Sequence, residues 1–266
     1  MPELPEVHAK KRYFDATALH QKIRAVEVKD AYILKDIAAE DFASALTGRQ
    51  FTSTYRRGKY LFADLDDEKS VLLHFGMSGR LKYYADEEDQ PKFERIRFEL
   101  SDGFKLGFDC PRKFARIRLL DSRAAYIKEK GLGADATELS EADFLKLTEG
   151  KTGSIKGFLL KQEYLAGIGN LYADEICYQT KIHPNSSVNA LSEEQCKDIY
   201  QKMQSILAFA LEKNATYSEY PSNWFWHHRE EGGNSPDESG TIEKEKIAGR
   251  STYFVPNRQL LYTQSI

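Results

Sequence analysis

The sequence predicts an α+β protein with several domains, because its 266 residues pass through three different patterns. Residues 3–19 carry apolar side chains at helical spacing. From about residue 20 to 120, short strand-like runs are separated by turn signals, which indicates a β-sandwich or a barrel. Residues 140–213 have the pattern of helices. A chain of this length has ample apolar material for a buried core.

Each element rests on its own local signal. The apolar residues of the first helix share one face: Leu4, Val7, Phe14 and Ala18. The clearest strand-like runs are residues 23–28, 59–63, 70–75, 95–100 and 115–120. Ser140 and Ser192 have the spacing of helix N-caps, and Gly131-Leu132-Gly133 indicates a linker. Residues 215–240 predict a loop, and strand-like runs near 241–247 and 251–262 end the chain.

Charge and cysteine content restrict the possible partners and compartment. The net charge of −3 gives no global sign of a nucleic-acid partner. The charges are segregated, however, with basic runs at 56–59 and 112–113, so a local basic groove remains compatible with the total. No signal peptide or membrane-spanning run is present, which predicts an intracellular protein. Three widely spaced cysteines fit reduced thiols rather than disulfides.

The first residues, Met1-Pro2-Glu3-Leu4-Pro5-Glu6-Val7, carry the strongest chemical signal. Removal of Met1 would leave Pro2 as a terminal secondary amine, and an α-amino pKa near ~8 keeps part of it neutral. Such an amine can attack an electrophilic carbon and form an iminium. Glu3 and Glu6 are candidates for proton transfer and for holding the helix. The alternative is that these residues only begin a helix, where proline and carboxylates are favourable.

This opening resembles the start of the formamidopyrimidine-DNA glycosylases of the Fpg/Nei family. The resemblance implies that Pro2 is the nucleophile that excises a damaged base and that strand cleavage follows by elimination. It implies that Glu3 shuttles protons and that Glu6 orients the N-terminal helix. The segment Arg57-Gly58-Lys59-Tyr60-Leu61 is similar to the family segment that places a lysine beside the proline. Lys59 would hold a phosphate and assist proton transfer.

Two further segments resemble the family loops that enter DNA where a nucleotide is flipped out. They are His74-Phe75-Gly76-Met77-Ser78-Gly79-Arg80 and Cys110-Pro111-Arg112-Lys113-Phe114. Apolar wedges fill the void and kink the duplex, and a guanidinium can pair with the orphaned base. The resemblance assigns these roles to Met77, Phe114 and Arg112. Taken singly, Met77 and Phe114 would be core residues. Ala115 stands where the family usually has glycine.

The most specific internal match is residues 155–160 together with Leu165-Ala166-Gly167-Ile168-Gly169-Asn170-Leu171-Tyr172-Ala173-Asp174-Glu175. It resembles the helix-two-turns-helix element of the family, in which a helix N-terminus binds phosphate. The resemblance assigns DNA contacts to Lys156, Asn170 and Tyr172.

The C-terminal segment departs from the usual family pattern, which ends in a four-cysteine zinc finger. Val255 and Arg258 occupy two of the cysteine positions, and three cysteines in the whole chain cannot supply four thiolates. We therefore expect no metal or other cofactor, and predict a zincless hairpin finger. Its packing would come from Ile247, Tyr253, Phe254, Val255, Leu260, Leu261 and Tyr262. Arg250 at its turn would grip phosphates.

The complete prediction is an N-terminal helix with a two-sheet β-sandwich (1–132), a helix-two-turns-helix domain (133–226) and a zincless hairpin finger (227–266). The resemblance implies a base-excision DNA glycosylase with AP lyase activity on 8-oxoguanine- or formamidopyrimidine-type lesions, in a monomer. Damaged double-stranded DNA is the partner, and the location is the cytoplasm of a bacterial-type cell. Alternatives are oxidised pyrimidines, abasic sites alone, or non-catalytic binding of damaged DNA. The aromatic segment 217–228 either stacks on the flipped base or packs the finger.

Overall fold

The computed structural model describes residues 1–264, which form two compact units, Met1–Gly131 and the part that begins at Leu132. The predicted three-domain division stays a prediction. The predicted fold class is confirmed, since one unit is built mainly on β-sheets and the other mainly on helices. Within residues 1–264, no helix has both the length and the apolar composition needed to cross a membrane.

The first unit contains three helices and eight strands. The helices are α1 (Leu4–Thr17), α2 (Ala39–Leu46) and α3 (Arg123–Glu129). The strands are β1 (Ile23–Val28), β2 (Phe51–Arg57), β3 (Tyr60–Leu65), β4 (Ser70–His74), β5 (Arg80–Tyr84), β6 (Glu94–Leu100), β7 (Lys105–Asp109) and β8 (Arg116–Leu120). Two antiparallel sheets result, with orders β1-β6-β7-β5 and β2-β3-β4-β8.

A single apolar core joins the two sheets of the first unit. Buried residues from both inner faces, such as Phe98 on β6 and Leu73 on β4, belong to one cluster, as the alternation of a sandwich requires. Helix α1 contributes Phe14, whose ring meets Phe51 edge to face with centroids 4.9 Å apart. The core thereby fixes α1, and with it the N-terminus, to strands β2, β3 and β5.

The second unit contains the remaining elements. Its helices are α4 (Glu141–Thr148), α5 (Ile155–Leu160), α6 (Asn170–Gln179) and α7 (Glu193–Glu212). Two short strands, β9 (Ala134–Asp135) and β10 (Leu165–Ala166), pair in parallel, and β11 (Glu243–Ile247) pairs antiparallel with β12 (Arg250–Phe254). Ser140 and Ser192 cap α4 and α7 as predicted, because each hydroxyl accepts a hydrogen bond from the backbone N–H three residues on.

The C-terminal hairpin is shorter than predicted. The second strand ends at Phe254 rather than near residue 262, since Pro256 has no N–H and a turn forms from Val255 to Gln259. Ile247, Phe254 and Val255 are buried as predicted. Leu260 and Leu261 are 61% and 54% exposed, so the predicted packing role of these two residues is wrong.

Candidate active site and nucleic-acid interface

The N-terminus of the first unit is held by the first turn of α1. The backbone N–H of Glu3 donates to the carboxylate of Glu6 with an N–Oε2 distance of 2.7 Å, and the two residues form a capping box. Glu3 is 3% exposed, whereas Met1 is 52% exposed. Removal of Met1 would therefore cost little packing and would leave the Pro2 nitrogen beside a buried carboxylate.

Helix α1 runs antiparallel to β2, and this places Lys59 near the N-terminus of the helix. At one end of the pair Asp15 accepts a hydrogen bond from Thr54. Closer to the start of α1, Arg56 is near enough to His8 to help lower its pKa, which burial lowers most. The chain then turns at Gly58, whose φ is +53°, and Lys59 is 7% exposed. The turn of the β2–β3 hairpin thus lies at the end of α1 that carries Pro2 and Glu3.

His74 lies beside Lys59 at the end of strand β4. Its ring is 5.0 Å from the ring of Tyr60, centroid to centroid, and it pairs in register with Arg116 on β8. Burial, followed by the positive charges of Arg116 and Lys59, lowers the pKa of His74 to about 4. The imidazole is therefore neutral at physiological pH and adds no further positive charge to Lys59.

The two predicted DNA-entering loops are packed against each other. A Cβ on Gly76 would lie 2.4 Å from the carbonyl carbon of Phe114, and the φ of Gly76 is +58°. Only glycine therefore allows this approach of the loops. The backbone N–H of Arg112 lies 3.4 Å from the hydroxyl of Ser78. Residues 76–78 and 112–114 consequently form one continuous tip.

The side chains at this tip point outward, as a wedge requires. Met77 is 45% exposed and Phe114 is 56% exposed, and Arg112 is also exposed. Large apolar side chains at the surface indicate an interaction site when they lie together. The substitution of Ala115 for the usual glycine is accommodated, since Ala115 is 1% exposed and has no positive φ.

Ion pairs at the base of the loops fix their direction. Arg80, which follows the first loop, donates to Asp109 through Nε and Nη2 at 3.1 and 2.6 Å. Lys113 in the second loop lies 2.7 Å from a carboxylate oxygen of Asp30. That contact, followed by further hydrogen bonds and nearby charges, holds the pKa of Asp30 below its ordinary value.

In the second unit, Asn170 is the first residue of helix α6, which Gly169 caps. Its Nδ2 donates to the backbone carbonyl of Ser251 over 2.9 Å, which connects the helix to strand β12. Its Oδ1 is buried and has no hydrogen-bond partner among residues 1–264. A helix N-terminus with an amide side chain is an arrangement that binds phosphate.

Arg250 follows the turn of the hairpin and is exposed. The turn consists of Ala248 and Gly249, with φ of +49° and +74°. Two positive φ values characterise the two-residue hairpin turn that matches strand twist. Arg250 is thereby presented to solvent directly before Ser251, the residue that Asn170 contacts.

Known proteins match both units. The profile of the formamidopyrimidine-DNA glycosylase N-terminal domain matches residues 1–117, and that of the formamidopyrimidine-DNA glycosylase H2TH domain matches residues 131–222. A formamidopyrimidine-DNA glycosylase of Arabidopsis thaliana is 34% identical over 98% of this chain and 72% of its own length. That of Heliobacterium modesticaldum is 30% identical over 97% of this chain and 100% of its own.

The chain belongs to the formamidopyrimidine-DNA glycosylase family. Structural similarity agrees. The Lactococcus lactis glycosylase bound non-covalently to DNA with an AP site has a TM-score of 0.86 and 27% identity, and the match covers 97% of this chain and 99% of that one. The same enzyme with FAPY-dG-containing DNA gives a TM-score of 0.85 at 27% identity, with the same coverage. The predicted family and enzyme class are confirmed.

Two of the predicted DNA-contacting residues, Lys156 and Tyr172, are buried, and their contact with DNA stays a prediction. Lys156 is 0% exposed, and its Nζ lies 2.5 Å from Oδ1 of Asp174 and 2.7 Å from Oγ1 of Thr252. Tyr172 is also 0% exposed, with its hydroxyl 2.7 Å from that of Tyr220. Both side chains are thus engaged in contacts inside the second unit.

The family's zinc ligands have no counterpart here. Val255 is 0% exposed and packs with the apolar side chains of Tyr178, Phe225 and Ile242. Arg258 forms an ion pair with Asp237. Among residues 1–264, no three His, Cys, Asp or Glu side chains lie close enough to share a metal ion. The residues present do not fit a tetrahedral zinc site.

The aromatic segment 217–228 packs within the second unit. Phe225 is 0% exposed and stacks on Tyr178 with centroids 4.6 Å apart and planes 12° apart. Trp226 lies over Tyr172 at 5.0 Å, and its backbone N–H donates to buried Glu175 over 2.8 Å. Burial raises the pKa of Glu175 to about 7. Of the two interpretations of this segment, the contacts support the structural one.

Sequence reasoning missed three charged residues of the second unit. Asp174 accepts from both Lys156 and Arg229, with Arg229 Nη2 at 2.6 Å, and Asp237 pairs with Arg258. Asp174 lies inside the recognised helix-two-turns-helix motif. The available signal was an acidic residue in the same motif as the basic Lys156. Arg229 and Asp237 lie in residues with little family resemblance, and no local pattern indicated them.

Proposed function

We propose that this chain is a bifunctional DNA glycosylase and AP lyase that acts on damaged double-stranded DNA through the amine of Pro2. The observation that carries the proposal is the position of Glu3. It is a buried carboxylate, one residue from the nucleophile, at the start of a helix whose N-terminal end also approaches Lys59.

The chemistry requires a free secondary amine and a proton carrier. The Pro2 nitrogen attacks C1′ of the damaged nucleotide, the bond to the base breaks, and the base leaves with a proton. The C1′–O4′ bond of the sugar then opens, O4′ takes up a proton, and the nitrogen, which has lost its own proton, forms an iminium with C1′. The iminium acidifies the 2′ hydrogen, and removal of that hydrogen as a proton expels the 3′ phosphate. Glu3 transfers the protons and Lys59 balances the phosphate charge. Glu6 holds the backbone of Glu3 and so orients the helix.

DNA contacts are divided between the units. In the first, Met77 and Phe114 fill the space left by the flipped nucleotide, and Arg112 pairs with the orphaned base. In the second, Asn170 and Arg250 bind phosphates. Binding through these charges weakens as salt rises, because phosphate contacts release counterions.

Oxidised purines of the 8-oxoguanine or formamidopyrimidine type are the proposed lesions. The support is the relatives' printed name and the solved complexes of the Lactococcus lactis enzyme with AP-site DNA and with FAPY-dG-containing DNA. Oxidised pyrimidines or abasic sites alone are the second candidate. Segment 217–228 packs within the second unit, and its contacts do not distinguish a purine from a pyrimidine. We place the protein in the cytoplasm as a monomer, with chromosomal DNA as its partner.

Borohydride trapping on a duplex with an abasic site tests the nucleophile. The mature chain that begins at Pro2 should form a covalent adduct, and a chain with Met1 retained or with Pro2→Gly should form far less. Equal trapping by the Met1-retained chain, checked by mass spectrometry of the terminus, would remove Pro2 from this role. Comparison of 8-oxoguanine, formamidopyrimidine and thymine-glycol duplexes decides the lesion.

A further inference from the structure

Helix α6 holds the hairpin finger at three points that are one turn apart. Asn170 binds the carbonyl of Ser251, and Asp174 accepts from the backbone N–H of Tyr253 at 3.4 Å. At the third point, the guanidinium of Arg258 lies over the ring of Tyr178, 4.3 Å from the ring centroid. Residues spaced by four share one helix face, so this face of α6 contacts strand β12 and the segment that follows it.

The third point is a polar cluster centred on Asp237, whose side chain is 36% exposed. Its Oδ1 accepts from the hydroxyls of Tyr178, Ser235 and Ser239 at 2.8, 2.9 and 2.7 Å. Its Oδ2 accepts from Nη1 of Arg258. Burial opposes ionisation, but the hydrogen bonds, led by that of Ser239, hold the pKa of Asp237 well below its ordinary value.

This cluster closes the base of the finger. Asp237 precedes strand β11 and Arg258 follows strand β12, so their ion pair joins the two chain segments at the end opposite the Ala248–Gly249 turn. A single exposed ion pair contributes little. Here the carboxylate has four side-chain donors and the guanidinium lies on a ring, which restricts both partners to one geometry.

We propose that Asp237 and Arg258 are positioning residues that take the place of the family's zinc ion. They fix the hairpin so that Arg250 lies where it can contact a DNA phosphate. An isolated two-stranded hairpin is at best marginally stable, so a finger without metal needs such an anchor. Val255, in a cysteine position, supplies apolar packing, and Arg258, in the other, supplies the cross-link. The inference rests on the proposed DNA contact of Arg250.

Hydrogen exchange tests the anchor without DNA. Asp237→Asn keeps the shape of the side chain and removes its charge. It should raise the exchange rates of the β11 and β12 amides about tenfold and leave those of α7 unchanged. Glu231→Gln is the matched control, because Glu231 forms a longer, exposed pair with Lys244 on the same hairpin, 3.4 Å apart. Arg258→Met should reproduce Asp237→Asn. Unchanged hairpin exchange in both variants would overturn the proposal.

A double-mutant cycle tests the link to Arg250. On a duplex with a tetrahydrofuran abasic analogue, Asp237→Asn and Arg250→Ala should each weaken binding by about tenfold or more, the range of one charge-assisted hydrogen bond. In the Arg250→Ala background, Asp237→Asn should have no further effect. Multiplicative losses would show that Asp237 does not act through Arg250. No effect of Arg250→Ala would instead contradict the proposed phosphate contact, while hydrogen exchange still decides the anchor.

Metal chelation gives an independent test of the proposal. Incubation with EDTA followed by desalting should leave binding and trapping of the wild-type protein unchanged. If EDTA abolished binding or trapping and added zinc restored it, the proposal that Asp237 and Arg258 replace the metal ion would be overturned. If Asp237→Asn fails to fold by circular dichroism, Ser239→Ala removes one donor to the same oxygen and should show a smaller increase in hairpin exchange.

Discussion

The side-chain amide of Asn170 donates to the backbone carbonyl of Ser251 over 2.9 Å. The residue that the family motif assigns to phosphate thus also supports the strand that carries Arg250. Its carbonyl oxygen, Oδ1, is buried without a partner among residues 1–264. The proposed phosphate contact and the position of the hairpin therefore involve the same side chain.

Asn170→Asp should weaken both functions. The change preserves shape but replaces the donor with a negative charge, which repels phosphate and the Ser251 carbonyl alike. We expect affinity for an abasic-analogue duplex to fall about tenfold or more. Fluorescence anisotropy measures the affinity, and Asn223→Asp adds the same charge at an exposed position as a control. Equal affinities of the two variants would contradict the assignment of Asn170.

Gly76→Ala should separate the two loops that are proposed to enter DNA. Its Cβ would overlap the backbone of Phe114, and the positive φ adds strain of about 1 kcal/mol. Gly103→Ala is the matched control, because Gly103 has a φ of +91° and no neighbour within 4 Å. Both variants carry the backbone strain, but only Gly76→Ala should lose excision from duplex DNA. Single-turnover assays at saturating enzyme measure the difference, and equal losses would exclude loop packing as the cause.

Phe114→Ala and Met77→Ala should affect duplex substrates selectively. Both side chains are exposed, so truncation costs little stability. Extrusion of a paired base costs a few kcal/mol, and the wedge offsets part of it. Excision from a duplex should slow, whereas elimination at an abasic site in single-stranded DNA should be unchanged. A proportional loss on both substrates would show that these residues act on the chemistry and not on extrusion.

Lys156→Met should lower stability without altering the salt dependence of DNA binding. The change leaves the buried Asp174 with Arg229 as its remaining cationic partner, and breaking a buried ion pair costs about 3–5 kcal/mol. Both tryptophans, Trp224 and Trp226, lie in the second unit, so their fluorescence in urea reports its unfolding. A salt slope reduced by about one would instead show that Lys156 contacts a phosphate.

His74 should make the first unit sensitive to mild acid. Its pKa is lowered to about 4, against 6.5 when unfolded, so the unfolded chain binds more protons between these values. The stability that this shift represents is complete above pH 6.5 and is lost as the pH falls towards 4, by about 1–2 kcal/mol at pH 5. Between pH 7 and 5 the His74→Gln variant should lose less stability than the wild-type protein. Hydrogen exchange of the β4 amides measures this loss. Parallel losses would exclude His74.

The sequence predicted the elements that carry strong local signals. Ser140 and Ser192 predicted the starts of α4 and α7, because a serine at the N-cap position can be recognised in the sequence itself. Helix α2 was missed, since its N-cap, Ala38, makes no side-chain cap. Strands β2, β5 and β7 lie within the predicted strand region but were not among the runs named individually, and β7 contains Gly107 within only five residues.

The candidate site divides in the same way. The positions of Met77 and Phe114 in two loops followed from motifs, because each motif is a local segment of the chain. The burial of Lys156 did not, because its partners, Asp174 and Thr252, lie 18 and 96 positions away. Charge type alone cannot distinguish a buried ammonium from one that meets phosphate. The packing around the side chain determines which of the two it is.

The carboxylate–guanidinium closure of the finger also determines how the protein responds to peroxide. Zinc-bound thiolates are oxidised and release their metal, whereas Asp237 and Arg258 contain no sulfur. Cys110, Cys177 and Cys196 are all buried, and burial raises the pKa of Cys177 and of Cys196, which disfavours the reactive thiolate. The finger is therefore built to survive the oxidants that create damaged bases.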